Sequence, residues 1–231
     1  MPINIELDFR FKAVLWDMDG TLIDSEPIWI EEERKLMLAL GGVWSEADAI
    51  HCIGGPMERV DQFMRTKLSP DVLSQYAPLA LTEILRERMT ERLSQGVNYT
   101  RGSLSLLTEL HGLKVPQALV SASSRPIMDA ALSSIGSHFF STTISDNDVS
   151  SSKPHPEGYL LAAQRIGVSI EDCLILEDSV TGITAAIDSG AYVLGLPHFA
   201  DLPLGDRVLH RDSLEGLSAS AVHELFAAID R

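Results

Sequence analysis

The chain has 231 residues, enough for one large core or two modest ones, and its 45% hydrophobic and 22% charged residues are those of an ordinary globular protein. Lys and Arg number 18 against 33 Asp and Glu, a formal net charge of -15, which repels nucleic-acid phosphates and anionic membrane surfaces and excludes general binding to either. An anionic small substrate stays open only where a local basic or metal site overrides that field.

The opening MPINIELDFRFKAV scatters acids and holds no long apolar run, so it does not read as a signal peptide. No segment approaches the length of a bilayer span, and a cytoplasmic monomer is expected. Cys52 and Cys173 lie far apart and match no metal or redox spacing. Cys173, inside CLILE, reads as a small buried residue.

Residues 11–17 form the first predicted strand. From 27 to 95 the pattern is helical without a convincing strand. PIWIEEERKLMLAL places Ile28, Trp29, Leu36, Met37 and Leu40 at helical spacing, and Gly41 and Gly42 stop it. Its run Glu31, Glu32, Glu33 is expected to be a solvated face near a helix N-terminus, where negative charge is favourable. MERVDQFMRTKL follows; then Ser69, Pro70 and Asp71 open another helical stretch with a cap and an early proline, continuing to Gly96 and divided at Pro78.

After Gly102 helices alternate with short apolar runs. SLSLLTELHG, RPIMDAALSSIG, PEGYLLAAQRIG, VTGITAAIDSG and residues 219–229 are predicted helices. VPQALVSAS, TTIS, CLILED and AYVLGLP are predicted strands. Apolar runs without alternation, separated by helices, indicate a parallel sheet covered on both faces. The prediction is an α/β core with an all-helical module inserted after its first strand.

That strand ends in VLWDMDGTLIDSEP, which puts Asp17 and Asp19 at its tip. Buried carboxylates are costly unless a cation, donors or a proton compensates them. Asp-x-Asp-Gly is also an ordinary turn, so the stretch alone reads either way. Ligands of an open parallel sheet bind outside the carboxyl ends of its strands, and other strand ends carry reactive groups too. VPQALVSASS ends in Ser121, Ser123 and Ser124, and CLILEDS in Glu177, Asp178 and Ser179; Lys153 precedes a helix in SSKPHPEGY. Together these residues make a site. Asp17, Asp19, Glu177 and Asp178 would repel one another unless neutralised. Oxygen ligation with waters and a substrate phosphate suits Mg²⁺. Lys153 and the Ser121 hydroxyl supply donors to phosphate oxygens. A carboxylate held against phosphorus is a competent nucleophile, and a second one two residues on can protonate the leaving oxygen and then activate water. Phosphoryl transfer through an aspartyl-phosphate is the predicted chemistry.

DMDGTL, VSAS, KPHPEGY and LEDS, in this order, resemble the four motifs of the haloacid-dehalogenase-like hydrolase superfamily across essentially the whole chain. The insertion after the first motif resembles the class with an α-helical cap, the group of β-phosphoglucomutase and small sugar-phosphate phosphatases. The resemblance implies a doubly wound, Rossmann-like parallel sheet core from 1–24 and 97–231 and a helical cap at 25–96. It implies Asp17 as nucleophile and Asp19 as general acid/base. Asp17, the main-chain carbonyl of Asp19, and Asp178 would ligand Mg²⁺, with Glu177 supporting through bound water. Ser121, Lys153 and the main-chain N–H of Ala122 would hold the phosphate.

Dehalogenases of this family lack the second aspartate, so Asp19 argues against their chemistry. The mutase has a histidine where Trp29 stands, and an arginine three residues after a cap glycine aligned with Gly54, where this chain has Met57. Both differences count against a mutase, whereas SEPIW resembles the phosphatases. The loop CIGGPMER is either an ordinary turn before a helix or a loop facing the core site. In the second case Glu26, Trp29 and Arg59 sample the leaving group. His155 is expected to shape the loop of Lys153. The expected function is a Mg²⁺-dependent phosphatase for a small phosphomonoester, a sugar phosphate. The alternatives are a phosphomutase and a non-catalytic relative that binds a phosphorylated metabolite, against which the intact nucleophile, acid/base and metal set counts.

Overall fold

A computed structural model describes residues 10–53, 57–197, 201–227 and 229 of the chain. Gly54, Gly55 and Pro56 of the predicted cap loop lie outside the described residues. The first strand, β1 (Ala13–Trp16), is followed by five helices: α1 (Glu26–Ala39), α2 (Glu46–Cys52), α3 (Met57–Arg65), α4 (Pro70–Leu73) and α5 (Ala80–Ser94). Alternation follows through α6 (Ser103–Gly112), β2 (Gln117–Val120), α7 (Arg125–Ile135), β3 (Thr142–Ile144), α8 (Glu157–Ile166) and β4 (Cys173–Glu177). The chain closes through α9 (Val180–Ser189), β5 (Tyr192–Gly195), β6 (Val208–His210) and α10 (Ala219–Phe226). Among the described residues, no helix is long and apolar enough to cross a membrane.

The chain divides into two compact units: Met1–Ile23 with Tyr99–Ser124 and Ser137–Arg231, and Asp24–Asn98 with Arg125–Gly136. The first unit holds a six-stranded sheet in the order β3-β2-β1-β4-β5-β6, and every pairing is parallel. The predicted α/β architecture is the one observed, and its strand order is that of a doubly wound fold whose order reverses between β1 and β4. Strand alternation sorts the two faces. Ala13, Leu15, Ala118, Val120, Cys173, Ile175 and Val193 form one core with Tyr159, Ala162 and Ala163 of α8 and Ile183, Ala185 and Ala186 of α9. On the other face the Trp16 indole donates to Gln117 Oε1 at 2.9 Å, and Gln117 Nε2 donates to the Leu107 carbonyl of α6 at 3.2 Å. Tyr192 there meets Phe226 of α10, ring centroids 5.6 Å apart. Each fully buried aliphatic of these layers stabilises the fold by roughly 1.5–3 kcal/mol, and the layers hold the strand ends still. The short edge strand β6, read from no sequence pattern, is only half-buried.

The second unit packs around Leu36, Met37, Trp44, Ala49, Val60, Met64, Leu81 and Leu85. Ser45 and Asp48 form a reciprocal capping box at the start of α2. Ser69 caps α4 as expected, but that helix is only 4 residues long. Helix α7 belongs to this unit through α5, where Ser134 Oγ donates to the Leu93 carbonyl at 3.1 Å. The acidic run in α1 departs from its expected solvation. Glu32 and Glu33 are 5% and 6% exposed. Glu32 can be buried because α5 brings cations to it: Arg92 lies 2.9 Å away and Arg88 3.7 Å, with Lys35 of α1 at 2.9 Å. Glu33 has no such company. Its Oε2 has no hydrogen-bond partner. Burial, then the charge of Glu26, pushes its pKa up to about 8 against the opposing pull of the Trp44 indole.

Candidate active site

Asp17 is the first residue beyond β1, and its N–H still donates to the Leu176 carbonyl of β4 at 3.0 Å. Glu177 closes β4 and is completely buried. The strand period carries Asp17 to the face of Ala13 and Leu15, and Glu177 to that of Cys173 and Ile175. Lys153, in the loop entering α8, joins them. Its Nζ donates to Asp17 Oδ1 at 2.5 Å, to Glu177 Oε1 at 2.7 Å and to the Val120 carbonyl at 3.2 Å. Tyr159, in the first turn of α8, lies under the ammonium, 4.8 Å from ring centroid to Nζ, and its hydroxyl donates to Glu177 Oε1 at 3.1 Å.

The other oxygen of Glu177 accepts from the N–H groups of Asp178 and Ser179, at 2.8 and 2.9 Å, and from the Ser179 hydroxyl at 3.1 Å. Ser179 also caps α9, accepting from the Gly182 N–H at 3.0 Å. The carboxylate therefore sits at the positive end of a helix. A Cβ at residue 182 would collide with it, so glycine is required there. Gly20 (φ +83°) plays the same part for Asp178, whose carboxylate occupies the space a Cβ would take. The Thr21 hydroxyl donates to Asp178 Oδ1 at 2.9 Å.

Asp19 turns toward the end of β2. Its Oδ2 accepts from the hydroxyls of Ser123 at 2.8 Å and Ser121 at 3.1 Å. Ser121 is held by its own N–H on the Ile144 carbonyl at 2.9 Å, and Ala122 stands exposed between the two serines. His155 is exposed, its Nδ1 accepting from the Glu157 N–H at 3.2 Å. It lines a small cavity together with Ser121, Lys153 and Tyr159.

The charges do not balance. Asp17, Glu177 and Asp178 each bring a carboxylate oxygen within 4.8 Å of the others, and the Lys153 ammonium bridges Asp17 and Glu177. Burial, then Glu177, raises the pKa of Asp17 well above the carboxylate range, with Lys153 opposing. Burial would lower the pKa of Lys153, but Asp17 and Glu177 outweigh it and raise the ammonium well above its usual value. A surplus of buried carboxylate over ammonium, all hard oxygen donors, fits a divalent cation. Asp17, Glu177 and Asp178 could hold one.

The first unit thus brings together Asp17, Asp19, Ser121, Lys153, Glu177 and Asp178. The cap candidates belong to the second. Glu26 opens α1 and is half-buried, Trp29 packs against that unit's apolar core, and Arg59 is exposed on α3. Cys52 lies near Arg59. Burial and Glu33 push its thiol up to about 12, with Arg59 opposing. Thr21, Tyr159 and Gly182 carried no role in the sequence reading, and Ser123 was read only as a polar strand end. For Thr21 the available signal was a hydroxyl two residues after Asp19 in DMDGTL; Tyr159 and Gly182 gave none.

A family model described as haloacid dehalogenase-like hydrolase matches residues 14–196. Hexitol phosphatase A of Escherichia coli K12 is 28% identical over 218 residues, which are 91% of this chain and 95% of the relative. Fructose-1-phosphate phosphatase YqaB of the same organism is 28% identical over 78% of this chain and 94% of its own length. Among solved structures, CbbY from Rhodobacter sphaeroides in complex with phosphate is similar with a TM-score of 0.74 and 25% identity, covering 91% of this chain and 98% of that one.

Proposed function

The chain belongs to the haloacid dehalogenase-like hydrolase family and is a phosphoric monoester hydrolase, and we propose that it is a Mg²⁺-dependent phosphatase acting on a sugar or polyol phosphate through an aspartyl-phosphate on Asp17. The observation that carries this reading is the Lys153 ammonium spanning Asp17 and Glu177, with a second carboxylate, Asp19, held two residues away by hydroxyls. The names of the two bacterial phosphatases support the substrate class.

In the first step Asp17 attacks phosphorus, while Lys153, the Ser121 hydroxyl and the Ala122 N–H donate to the phosphate oxygens. The leaving oxygen takes its proton from Asp19 as the bond to phosphorus breaks. In the second step the Asp19 carboxylate takes a proton from water as that water attacks the aspartyl-phosphate, freeing Asp17 and inorganic phosphate. When bound by Asp17, Asp178 and the Asp19 main-chain carbonyl, with Glu177 behind them, Mg²⁺ supplies the positive charge that lets a phosphate dianion approach this acidic cluster. The core motifs address only phosphate and metal. Choice among leaving groups is accordingly assigned to the helical cap, residues 25–96, with Glu26, Trp29 and Arg59 as its candidate contacts.

Phosphate release from a panel of sugar and polyol phosphates tests the reading. Activity is expected with Mg²⁺, none after EDTA, recovery on adding Mg²⁺ back, and inhibition by Ca²⁺, whose looser, larger coordination draws extra oxygens of the site into the shell. Full turnover in chelated protein overturns the metal assignment. Isomerisation of a sugar phosphate outpacing release of free phosphate overturns the hydrolase reading in favour of a mutase.

A further inference from the structure

We propose that Ser123 is the positioning residue of the acid/base Asp19, holding its Oδ2 through both steps so that the other oxygen carries the proton. The inference rests on the phosphatase reading and deepens it. Two hydroxyls meet Asp19 Oδ2, from Ser123 at 2.8 Å and from Ser121 at 3.1 Å. A hydroxyl has one hydrogen to give. Ser121 is also the side chain assigned to the transferring phosphate, so its hydrogen leaves Asp19 when substrate arrives. The Ser123 hydroxyl then remains as a donor to Oδ2.

The backbone at residue 123 suits that duty. The Ser123 N–H donates to Ser121 Oγ at 2.9 Å, and the Ser123 carbonyl accepts from the Asp146 N–H at 3.1 Å. The Ser123 N–H on Ser121 Oγ orients that hydroxyl, whose one hydrogen turns between Asp19 and phosphate. The exchange needs no movement of the chain. Before substrate binds, Oδ2 accepts from two hydroxyls; with substrate bound the Ser123 hydroxyl still holds Oδ2 as an acceptor, which leaves the transferable proton to Oδ1. In the first step the proton passes from Oδ1 to the leaving oxygen as the P–O bond breaks. In the second, Oδ1 takes a proton from the attacking water as the bond between phosphorus and Asp17 breaks. Without the Ser123 hydroxyl, Oδ2 is held less firmly and the proton is aimed less well at the leaving oxygen.

The test compares the wild-type protein, Ser123→Ala and Ser123→Thr on a sugar phosphate, whose alkoxide must be protonated to leave, and on p-nitrophenyl phosphate, whose phenolate leaves unaided. The quotient kcat/KM reports events up to the covalent intermediate, so it isolates the acid step. General acid catalysis contributes about a hundredfold or more. Ser123→Ala is expected to lower kcat/KM on the sugar phosphate by about tenfold to a hundredfold through kcat, with the aryl phosphate falling at least about fivefold less. Slower activation of water should also give the variant a larger pre-steady-state burst of nitrophenolate. Ser123→Thr, which keeps the hydroxyl, should restore the ratio between the substrates. A parallel fall on both substrates, a loss confined to KM, or no change in the ratio overturns the proposal and leaves the phosphatase reading standing. A wild-type protein that hydrolyses neither substrate overturns both.

Discussion

Glu177 in the sheet unit and Glu33 in the helical unit are both buried, 0% and 6% exposed, yet they are held in opposite ways. Glu177 accepts from the Lys153 ammonium, two hydroxyls and two backbone N–H groups. Glu33 has an oxygen with no partner and a pKa pushed up to about 8. Burial alone is therefore not what separates the two carboxylates. The difference lies in the donors that the surrounding elements deliver. A helix N-terminus, a lysine loop and a tyrosine converge on Glu177, whereas Glu33 is left to keep its own proton. Glu32, one residue earlier, shows that the helical unit can also serve a buried acid when α5 supplies arginines.

Asp17→Asn goes to the chemical purpose of the charged cluster and should have the largest effect. The amide keeps the shape and loses the nucleophile, so kcat should drop at least about a thousandfold, about 4 kcal/mol of barrier, with the fold intact. Turnover within tenfold of wild type would remove Asp17 from its role. The same substitution at the two glutamates then separates them. Every neighbour of Glu177 named above is a donor, so Glu177→Gln must turn its NH₂ against one. It should destabilise the protein by about 2–4 kcal/mol in urea unfolding.

Glu33→Gln should do the reverse, and only at higher pH. The folded pKa of Glu33 lies at about 8, above the ordinary 4.5, so the folded state holds the proton more tightly than the unfolded one. That contribution is fully present below about pH 4.5 and is lost as pH rises toward 8. The amide mimics the protonated acid, so the variant should gain about 1–3 kcal/mol over wild type at pH 8 and little at pH 5. Equal gains at both pH values would mean that Glu33 is not protonated in the fold. The smallest effect is expected at the cap surface. Arg59→Ala should raise KM for the preferred sugar phosphate by about tenfold and leave a small aryl phosphate nearly unmoved. Parallel changes on both would make Arg59 a packing residue.

The candidate site was legible because its acids stand at strand ends, where a parallel sheet puts its ligands: Asp17 and Glu177 end apolar runs, and Asp19 and Asp178 come within two residues of them. What was hidden depends on direction rather than position. Tyr159 reads as one more apolar residue on the buried face of α8, and nothing in the sequence tells where its hydroxyl points. Ser123 stood in a row of serines, any of which could have faced Asp19. The run Glu31, Glu32, Glu33 read as a solvated face because negative charge is favourable near a helix N-terminus. Partners from α5, some 60 residues later, reversed that for Glu32. β6 escaped because VLH is too short for a period and lies half-buried at the edge.

The segments at either end of the insertion are hydrogen-bonded to one another. The Asp24 N–H donates to the Asn98 carbonyl at 2.8 Å, and Ile23 bridges Tyr99. A polypeptide threaded this way closes both circuits at a single gate. The sheet unit leaves and re-enters at neighbouring points, so the insertion Asp24–Asn98 costs only modestly more closure entropy than a short turn there would. That makes the helical part a cassette, able to lengthen, shorten or be exchanged through descent while strand register, and with it the aim of Asp17, stays where it was. The exchange has one restraint. Helix α7 arises from the sheet's own stretch of chain yet packs on α5, so any replacement cassette inherits a face it must cover.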